Sequence, residues 1–169
     1  MKSSCTFIRH LSFFIFHFLL LHLSAFSFEE AYVGAGAIAV MPQGGAKMRH
    51  RVGAAANAGA YVTDYLALEA EAGVLEGQTA LAARGLWHLQ GFEEFGLLFG
   101  YERFDPFLSL GARGFLGDGR GDAGPTFGLG AMYYLSDNWA LRLDADATIG
   151  LDVSPKGIYC VSAGLRYSF

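Results

Sequence analysis

Charged side chains recur at alternating positions in five short stretches of the sequence, and they form its largest set of chemically active groups. Carboxylates and guanidiniums that face one another away from water neutralise each other as ion pairs, whereas an unpaired buried charge is strongly destabilising. The set holds four acidic and four basic side chains, so each charge has an opposite one. Its members are Glu69, Glu71, Arg84, Arg113, Arg142, Asp144, Asp146 and Arg166.

Other side chains offer a nucleophile or a base but no complete catalytic site. His88 and Ser109 are the candidates, yet the residues around them do not supply an acid in a triad-like order. We therefore interpret His88 as an interior histidine satisfied by a neighbouring glutamate or arginine. Cys160 is the one cysteine after residue 27, so no internal disulfide or thiolate metal cluster is expected. We predict no catalytic, cofactor or metal site.

Two further motifs carry charge in or beside stretches predicted to be loops. Lys47, Arg49 and Arg51 cluster around the first loop, and guanidinium and ammonium groups bind phosphates well. The tripeptide Arg-Gly-Asp at 120–122 lies in a second predicted loop, 116–124, which is rich in glycine and aspartate. Integrin-binding proteins display this tripeptide, so adhesion is a hypothesis for it, although three residues match easily by chance.

The first 27 residues are predicted to be a signal peptide. Lys2 and Arg9 accompany an apolar run at 11–23, and Ala25 and Ser27 are the small residues that a signal peptidase reads. The alternative is a membrane anchor, because the run approaches the ~20 residues of a spanning helix. Removal of the signal leaves a single domain, 28–169, whose 142 residues carry a net charge of −6. That charge argues against a nucleic-acid partner.

The domain 28–169 is predicted to be an all-β fold of eight strands. Apolar and small or polar residues alternate with a period of two, which indicates strands rather than helices. Short connections make neighbouring strands antiparallel, and 91–105 is predicted to be an insert at one end. A last strand at the end of the chain leaves an exposed edge unless the sheet closes, so we predict an up-and-down barrel. The strand stretches are 30–40, 51–62, 65–74, 80–90, 107–115, 125–135, 139–150 and 158–169.

Alternation alone does not decide which face of the barrel points inward. A lipocalin-like soluble barrel would enclose a ligand with its apolar face, whereas a transmembrane barrel would turn that face to lipid. Trp87, Trp139, Tyr167 and Phe169 gather on the apolar face near one end, as in an interfacial aromatic girdle. Apart from the insert, that end has short turns and the opposite end has longer polar loops. Both features favour a transmembrane barrel whose charged face lines a narrow lumen.

The C-terminal sequence GLRYSF (164–169) consists of a glycine, a two-residue gap, a hydrophobic residue, any residue and a terminal aromatic residue. It resembles the assembly signal of the small eight-stranded outer-membrane barrels typified by OmpA and OmpX, and the resemblance extends over 30–169. Ala163 stands where that signal usually has a polar residue. The resemblance implies insertion from the periplasm by the outer-membrane insertion machinery, which would recognise Gly164, Tyr167 and Phe169.

The sequence therefore favours a structural or interaction protein of the cell outer membrane, monomeric and with a charge-paired lumen that does not conduct. Lys47, Arg49 and Arg51 would then contact lipopolysaccharide phosphates in the surrounding membrane. The alternatives are an outer-membrane lipid-modifying enzyme, a small pore and a soluble periplasmic ligand-binding barrel. No specific partner of the surface loops follows from the residues.

Overall fold

A computed structural model of the chain describes residues 30–43, 50–89, 103–117, 120–150 and 157–169, and these residues form a closed barrel. The strands pair in sequence order, each antiparallel to its neighbours, and the last returns to the first. The predicted eight-stranded up-and-down barrel is therefore confirmed. Its strands are β1 (Ala31–Pro42), β2 (Arg51–Thr63), β3 (Leu66–Leu75), β4 (Gln78–His88), β5 (Phe104–Gly117), β6 (Arg120–Tyr134), β7 (Trp139–Ile149) and β8 (Gly157–Ser168).

Strand β7 shows how the sequence pattern builds the wall of the barrel. Trp139, Leu141 and Leu143 point outward and are 46%, 47% and 58% exposed, whereas Arg142 and Asp144 between and beside them are buried. Successive side chains of a strand point to opposite faces of its sheet, so this alternation separates an apolar exterior from a charged interior. The other strands follow the same period, which places the charged residues of five strands in one lumen.

Closure of the sheet brings the first and last strands together along their whole length. Tyr32 pairs with Ser168 at one end of this seam and Pro42 pairs with Ile158 at the other. The Phe169 backbone N–H also donates to the carbonyl of Ala31 at 3.0 Å. We call the end where β1 begins and β8 ends the terminal end, and the opposite end the loop end.

The predicted difference in loop length between the two ends holds for two of the connections at the loop end. These are 43–50 and 150–156, which are longer than the connections 64–65 and 135–138 at the terminal end. The other two are shorter than predicted. At the loop end, the connections 76–77 and 118–119 each span two residues, because the strands continue into stretches predicted to be loops. Gly77 and Gly117 have φ angles of 69° and 146°, which glycine adopts without steric cost at such tight turns. The longest connection, 89–103, lies at the terminal end.

These strand boundaries place the Arg-Gly-Asp tripeptide and Asp105 in strands, whereas the sequence predicted a loop and an insert. β6 begins at Arg120 and pairs with β5 from there, so the Arg-Gly-Asp tripeptide is part of a strand and not of a loop. β5 begins at Phe104, so Asp105 belongs to the barrel wall and not to the predicted insert. Most of that insert, like the predicted signal peptide, lies outside the described residues.

The outer surface of the barrel is apolar between its two ends. Leu110, Leu129 and Leu143, on the adjacent strands β5, β6 and β7, are 56%, 65% and 58% exposed. At the terminal end, Tyr167 stacks edge-on against Trp139 and Phe169, with ring centroids 5.0 and 5.3 Å apart. Such a surface suits lipid and is too large an apolar area for a soluble monomer, so the soluble-barrel alternative is wrong. No helix in the described ranges is long and apolar enough to span a membrane.

Candidate functional site

The register of the strands gathers the charged side chains at the middle of the lumen. Glu69 on β3 lies directly opposite Arg84 on β4, and Asp144 on β7 lies opposite Ser162 on β8. Alternate residues of one strand share a face, so Glu71 adjoins Glu69 in the same way that Asp146 adjoins Asp144. Residues that are up to 73 positions apart in the sequence thereby contact one another across the barrel.

Arg84 is the centre of this cluster because it contacts all four carboxylates. Its Nη2 atom donates to Glu69 at 2.8 Å and to Glu71 at 2.7 Å, and its Nη1 atom donates to Asp146 at 3.1 Å and to Asp144 at 3.4 Å. The Arg84 side chain has no exposed surface. Each of these contacts is therefore shielded from water, where charge-assisted hydrogen bonds are strongest.

Two further arginines complete the pairing of the same carboxylates. Arg113 donates to Asp146 at 2.7 Å and to Glu71 at 2.8 Å. Arg142 donates to Asp144 at 2.7 Å through Nε and to both oxygens of Glu69 through its two Nη atoms. Every oxygen of the four carboxylates thus accepts at least one hydrogen bond from an arginine. We call these seven residues the lumen network: Glu69, Glu71, Arg84, Arg113, Arg142, Asp144 and Asp146.

Arg166 is the one member of the predicted set that the structure places elsewhere. Its guanidinium lies 3.7 Å from the ring centre of Tyr32 and 5.0 Å from that of Tyr61, and it donates to the Tyr61 hydroxyl at 3.1 Å. A further hydrogen bond goes to Ser168 at 3.3 Å. Cation–π contacts with two tyrosines replace the expected carboxylates. Tyr32 in turn donates to Glu69 at 3.2 Å, so an aromatic ring separates Arg166 from the lumen network.

Apolar side chains close the lumen on both sides of the lumen network. The loop-end cluster consists of buried residues from β1, β3, β4, β5 and β8, and the terminal-end cluster contains residues from β1, β3, β4, β5, β6 and β7. Close packing of such side chains leaves few voids that water could fill. The loop-end cluster is Ile38, Val40, Leu75, Ala80, Phe115, Ile158 and Cys160, and the terminal-end cluster is Tyr32, Ala67, Leu86, Phe107, Met132 and Ala140.

His88 has an acidic partner that the sequence analysis missed. Its Nδ1 atom lies 2.6 Å from Asp105, which also accepts a hydrogen bond from Tyr134 at 3.3 Å. The expected partner, a glutamate or an arginine, is therefore wrong. Extending the alternation of β5 back from Phe107 to Asp105 would have revealed this pair. Ser109 is buried on the same face of β5, and the hydrogen bonds described for His88 do not include it.

The remaining predicted positions lie outside the lumen network. Gly164 faces the lumen on β8, whereas Tyr167 and Phe169 belong to the aromatic group at the terminal end. Arg51 begins β2 at the loop end, and Lys47 and Arg49 fall outside the described residues. Within the described ranges, no group of three or more histidine, cysteine, aspartate or glutamate side chains is arranged to hold a metal ion.

Comparison with solved structures identifies the fold. No family model and no curated protein matches the chain. The outer membrane protein OprG from Pseudomonas aeruginosa superposes with a TM-score of 0.63 at 14% identity, covering 83% of this chain and 95% of that one. Neisserial surface protein A gives a TM-score of 0.60 at 16% identity, with coverages of 82% and 97%. The chain has the fold of the small outer-membrane β-barrels.

A third structure of this outer-membrane type extends the likeness to a domain of a larger protein. The N-terminal β-barrel domain of Pseudomonas aeruginosa OprF superposes with a TM-score of 0.56 at 16% identity, covering 82% of this chain and 97% of that domain. Because these identities are low, the likeness concerns the barrel itself. An eight-stranded outer-membrane barrel has room inside for side chains and little else, which agrees with the filled lumen.

Proposed function

We propose that the chain is a monomeric structural or interaction barrel of the cell outer membrane whose lumen does not conduct. One observation carries this proposal: the lumen is occupied at three successive levels by the loop-end cluster, the lumen network and the terminal-end cluster. An ion crossing the barrel would have to displace packed apolar side chains twice and break buried ion pairs once. The small pore is therefore the less favoured alternative.

Reconstitution in planar bilayers tests the closed lumen. The folded barrel should produce no stepwise current under an applied voltage, whereas a porin inserted under the same conditions serves as the positive control. A variant in which Val40, Phe115 and Ile158 are replaced by serine loosens only the loop-end cluster, and it should also stay closed because the lumen network and the terminal-end cluster remain. A stable single-channel conductance of the wild-type protein would contradict the proposal.

The apolar exterior supports an association with membrane lipid, and the proposal adds lipopolysaccharide as a specific lipid. Arg51 lies at the loop end of β2, and Lys47 and Arg49 precede it in the sequence, so their cationic groups suit the phosphates of that lipid. Replacing Lys47 and Arg49 with glutamine should lower the lipopolysaccharide retained by the purified barrel. The control is Arg103→Gln, an exposed position at the terminal end. Equal retention by both proteins would remove these contacts from the proposal.

The outer-membrane insertion machinery is the second proposed partner. Tyr167 and Phe169 point away from the lumen at the end of β8, where another protein can reach them, and Gly164 lies on the same strand. Deleting Phe169 should reduce the amount of barrel in the outer membrane while the barrel refolded in detergent keeps its unfolding midpoint. Normal accumulation of the truncated chain in the membrane would exclude a role in assembly.

The proposal assigns no catalysis to this chain, in contrast to the alternative of a lipid-modifying enzyme. His88 and Asp105 are both only 2% exposed and face the lumen, so a lipid on the outer surface does not reach them. Lipid A species extracted from cells with and without the protein should be identical. A new acylated or deacylated species that depends on His88 would instead establish the enzyme.

A further inference from the structure

The lumen network contains one more carboxylate than guanidinium. Four carboxylates share hydrogen bonds with three arginines, and the fourth arginine, Arg166, is separated from them by the ring of Tyr32. A buried excess charge is unfavourable in a medium of low polarity unless a counter-charge lies close to it. The geometry therefore leaves the network with a local charge of about −1 by this count.

A cavity adjoins the network on the side of the β1–β8 seam. It has room for about one group of the size of a water molecule. Gly36 and Gly164 border this cavity and pair with each other across the seam. A Cβ atom at Gly36 would overlap the backbone of Ala163 and Gly164 on β8, so a larger residue at Gly36 would not fit beside β8.

Oxygen atoms with spare acceptor capacity line the cavity. Asn57 and Glu71 are register partners on β2 and β3, and both border it. The Asn57 Oδ1 atom is buried and has no hydrogen-bond partner, and each Glu71 oxygen accepts a single hydrogen bond. Ser162 also borders the cavity opposite Asp144, to which its hydroxyl can donate. Arg142, the one cation in the wall, already directs all three of its nitrogens to Glu69 and Asp144.

We propose that this cavity binds one monovalent cation of about the size of a water molecule, Na⁺ or K⁺, between Asn57, Glu71 and Ser162. Carboxylate, amide and hydroxyl oxygens are the ligands that hard cations accept, and a single positive charge balances the excess carboxylate. The site differs from a divalent-metal site because it offers one carboxylate and two neutral oxygens. This inference goes beyond the closed-lumen function, which the conductance measurement tests separately.

The first test compares the urea midpoint of the barrel, refolded in neutral detergent, at constant ionic strength in NaCl, in KCl and in the chloride of N-methylglucamine. A ligand that binds the folded state alone raises stability with its concentration. The midpoint should therefore rise with Na⁺ or K⁺ and saturate, and N-methylglucamine, which is too large for the cavity, should have no such effect. Equal midpoints in the three salts would overturn the proposal, because water alone would then fill the cavity.

Two variants connect the effect to the cavity. Asn57→Leu keeps the branched shape of the side chain and its neutral charge but removes the oxygen ligand, and Glu71→Gln removes the excess charge, so both should lose the dependence on the cation. Glu76→Gln is the matched control, since it makes the same change at an exposed turn and should keep the dependence. If Asn57→Leu and Glu71→Gln respond to Na⁺ and K⁺ as the wild type does, the cation acts elsewhere and the proposal fails.

Crystals grown from barrel that has been refolded in chloride-free buffer containing thallium nitrate give a direct readout. Tl⁺ replaces K⁺ in protein sites and scatters anomalously, so a peak is expected between Asn57 and Glu71 in the wild type. The peak should be absent from Asn57→Leu crystals, whose refolding in detergent is checked beforehand by heat-modifiable migration. A cavity without anomalous density at thallium concentrations that saturate the stability effect would also overturn the proposal.

Discussion

Replacing Arg84 with methionine should destabilise the barrel more than any other single change in the lumen network. Methionine keeps an unbranched side chain, although a shorter one, and removes the charge and the donors. Arg84 makes four ion pairs, at 2.7, 2.8, 3.1 and 3.4 Å, with carboxylates that are each at most 5% exposed. Without it, the four carboxylates would share two arginines, Arg113 and Arg142.

Removal of one partner from a buried ion pair costs about 3–5 kcal/mol, because the other charge stays buried without compensation. We expect about 5 kcal/mol for Arg84→Met, since it raises the excess of carboxylates over arginines in the lumen network from one to two and removes a hydrogen bond from each of the four carboxylates. That loss is a large share of the stability of a typical domain, which is about 5–15 kcal/mol. The variant should therefore unfold at a much lower urea concentration and lose its heat-modifiable migration at a lower temperature.

Equilibrium unfolding in urea, followed by tryptophan fluorescence in detergent micelles, measures this change. Arg103→Met is the matched control, because Arg103 is exposed and its loss should change the free energy of unfolding by less than about 0.5 kcal/mol. Adding Glu71→Gln to Arg84→Met removes one of the uncompensated charges and should recover about 1–3 kcal/mol. A free energy of unfolding of Arg84→Met within about 1 kcal/mol of the wild type would refute this account of the network.

Three further changes test the barrel wall and the interior. Leu143→Arg places a charge on the lipid face and should cost about 2–4 kcal/mol in bilayer vesicles, and a smaller loss would place this position near an interface. Gly36→Val should prevent closure of the β1–β8 seam and abolish heat-modifiable migration, whereas Gly73→Val, where a Cβ atom meets its neighbours at 3.6 Å or more, should still close. Tyr32→Phe removes one hydrogen bond to Glu69 and should lower the free energy of unfolding by about 1 kcal/mol, because the ring that Arg166 contacts remains. A loss above about 3 kcal/mol would show that the Tyr32 hydroxyl is part of the lumen network.

Strands β5 and β6 extend into the stretch 116–124, which the sequence predicted to be a loop. Glycine and aspartate at 116–124 have low strand propensity, and they indicated a loop on local grounds. In the barrel, β5 pairs with β4 up to Gly117, and β6 pairs with β5 from Arg120 onward. Backbone pairing with the neighbouring strands thus overrides the local preference of these residues. The same extension at the other end brought Asp105 into β5 and next to His88.

The sequence by itself determined the number of strands and the face on which each side chain lies. A period of two needs no knowledge of the partners, because successive side chains of any strand point to opposite sides. Seven of the eight charged residues assigned to one face do meet in the lumen. The aromatic residues near one end and the resemblance of the C-terminal GLRYSF to an assembly signal then favoured a barrel of the outer-membrane type, with its apolar face outward.

Only the tertiary structure decided which charges meet. Arg142 and Arg166 occupy equivalent alternating positions on adjacent strands, yet Arg142 contacts Glu69 and Asp144 whereas Arg166 lies against Tyr32 and Tyr61. The difference arises from the shear of the barrel, which sets the height of each residue along the lumen and therefore its neighbours across it. The position of a residue along the barrel axis depends on the registers of all eight strand pairs together. A local sequence pattern therefore does not predict it.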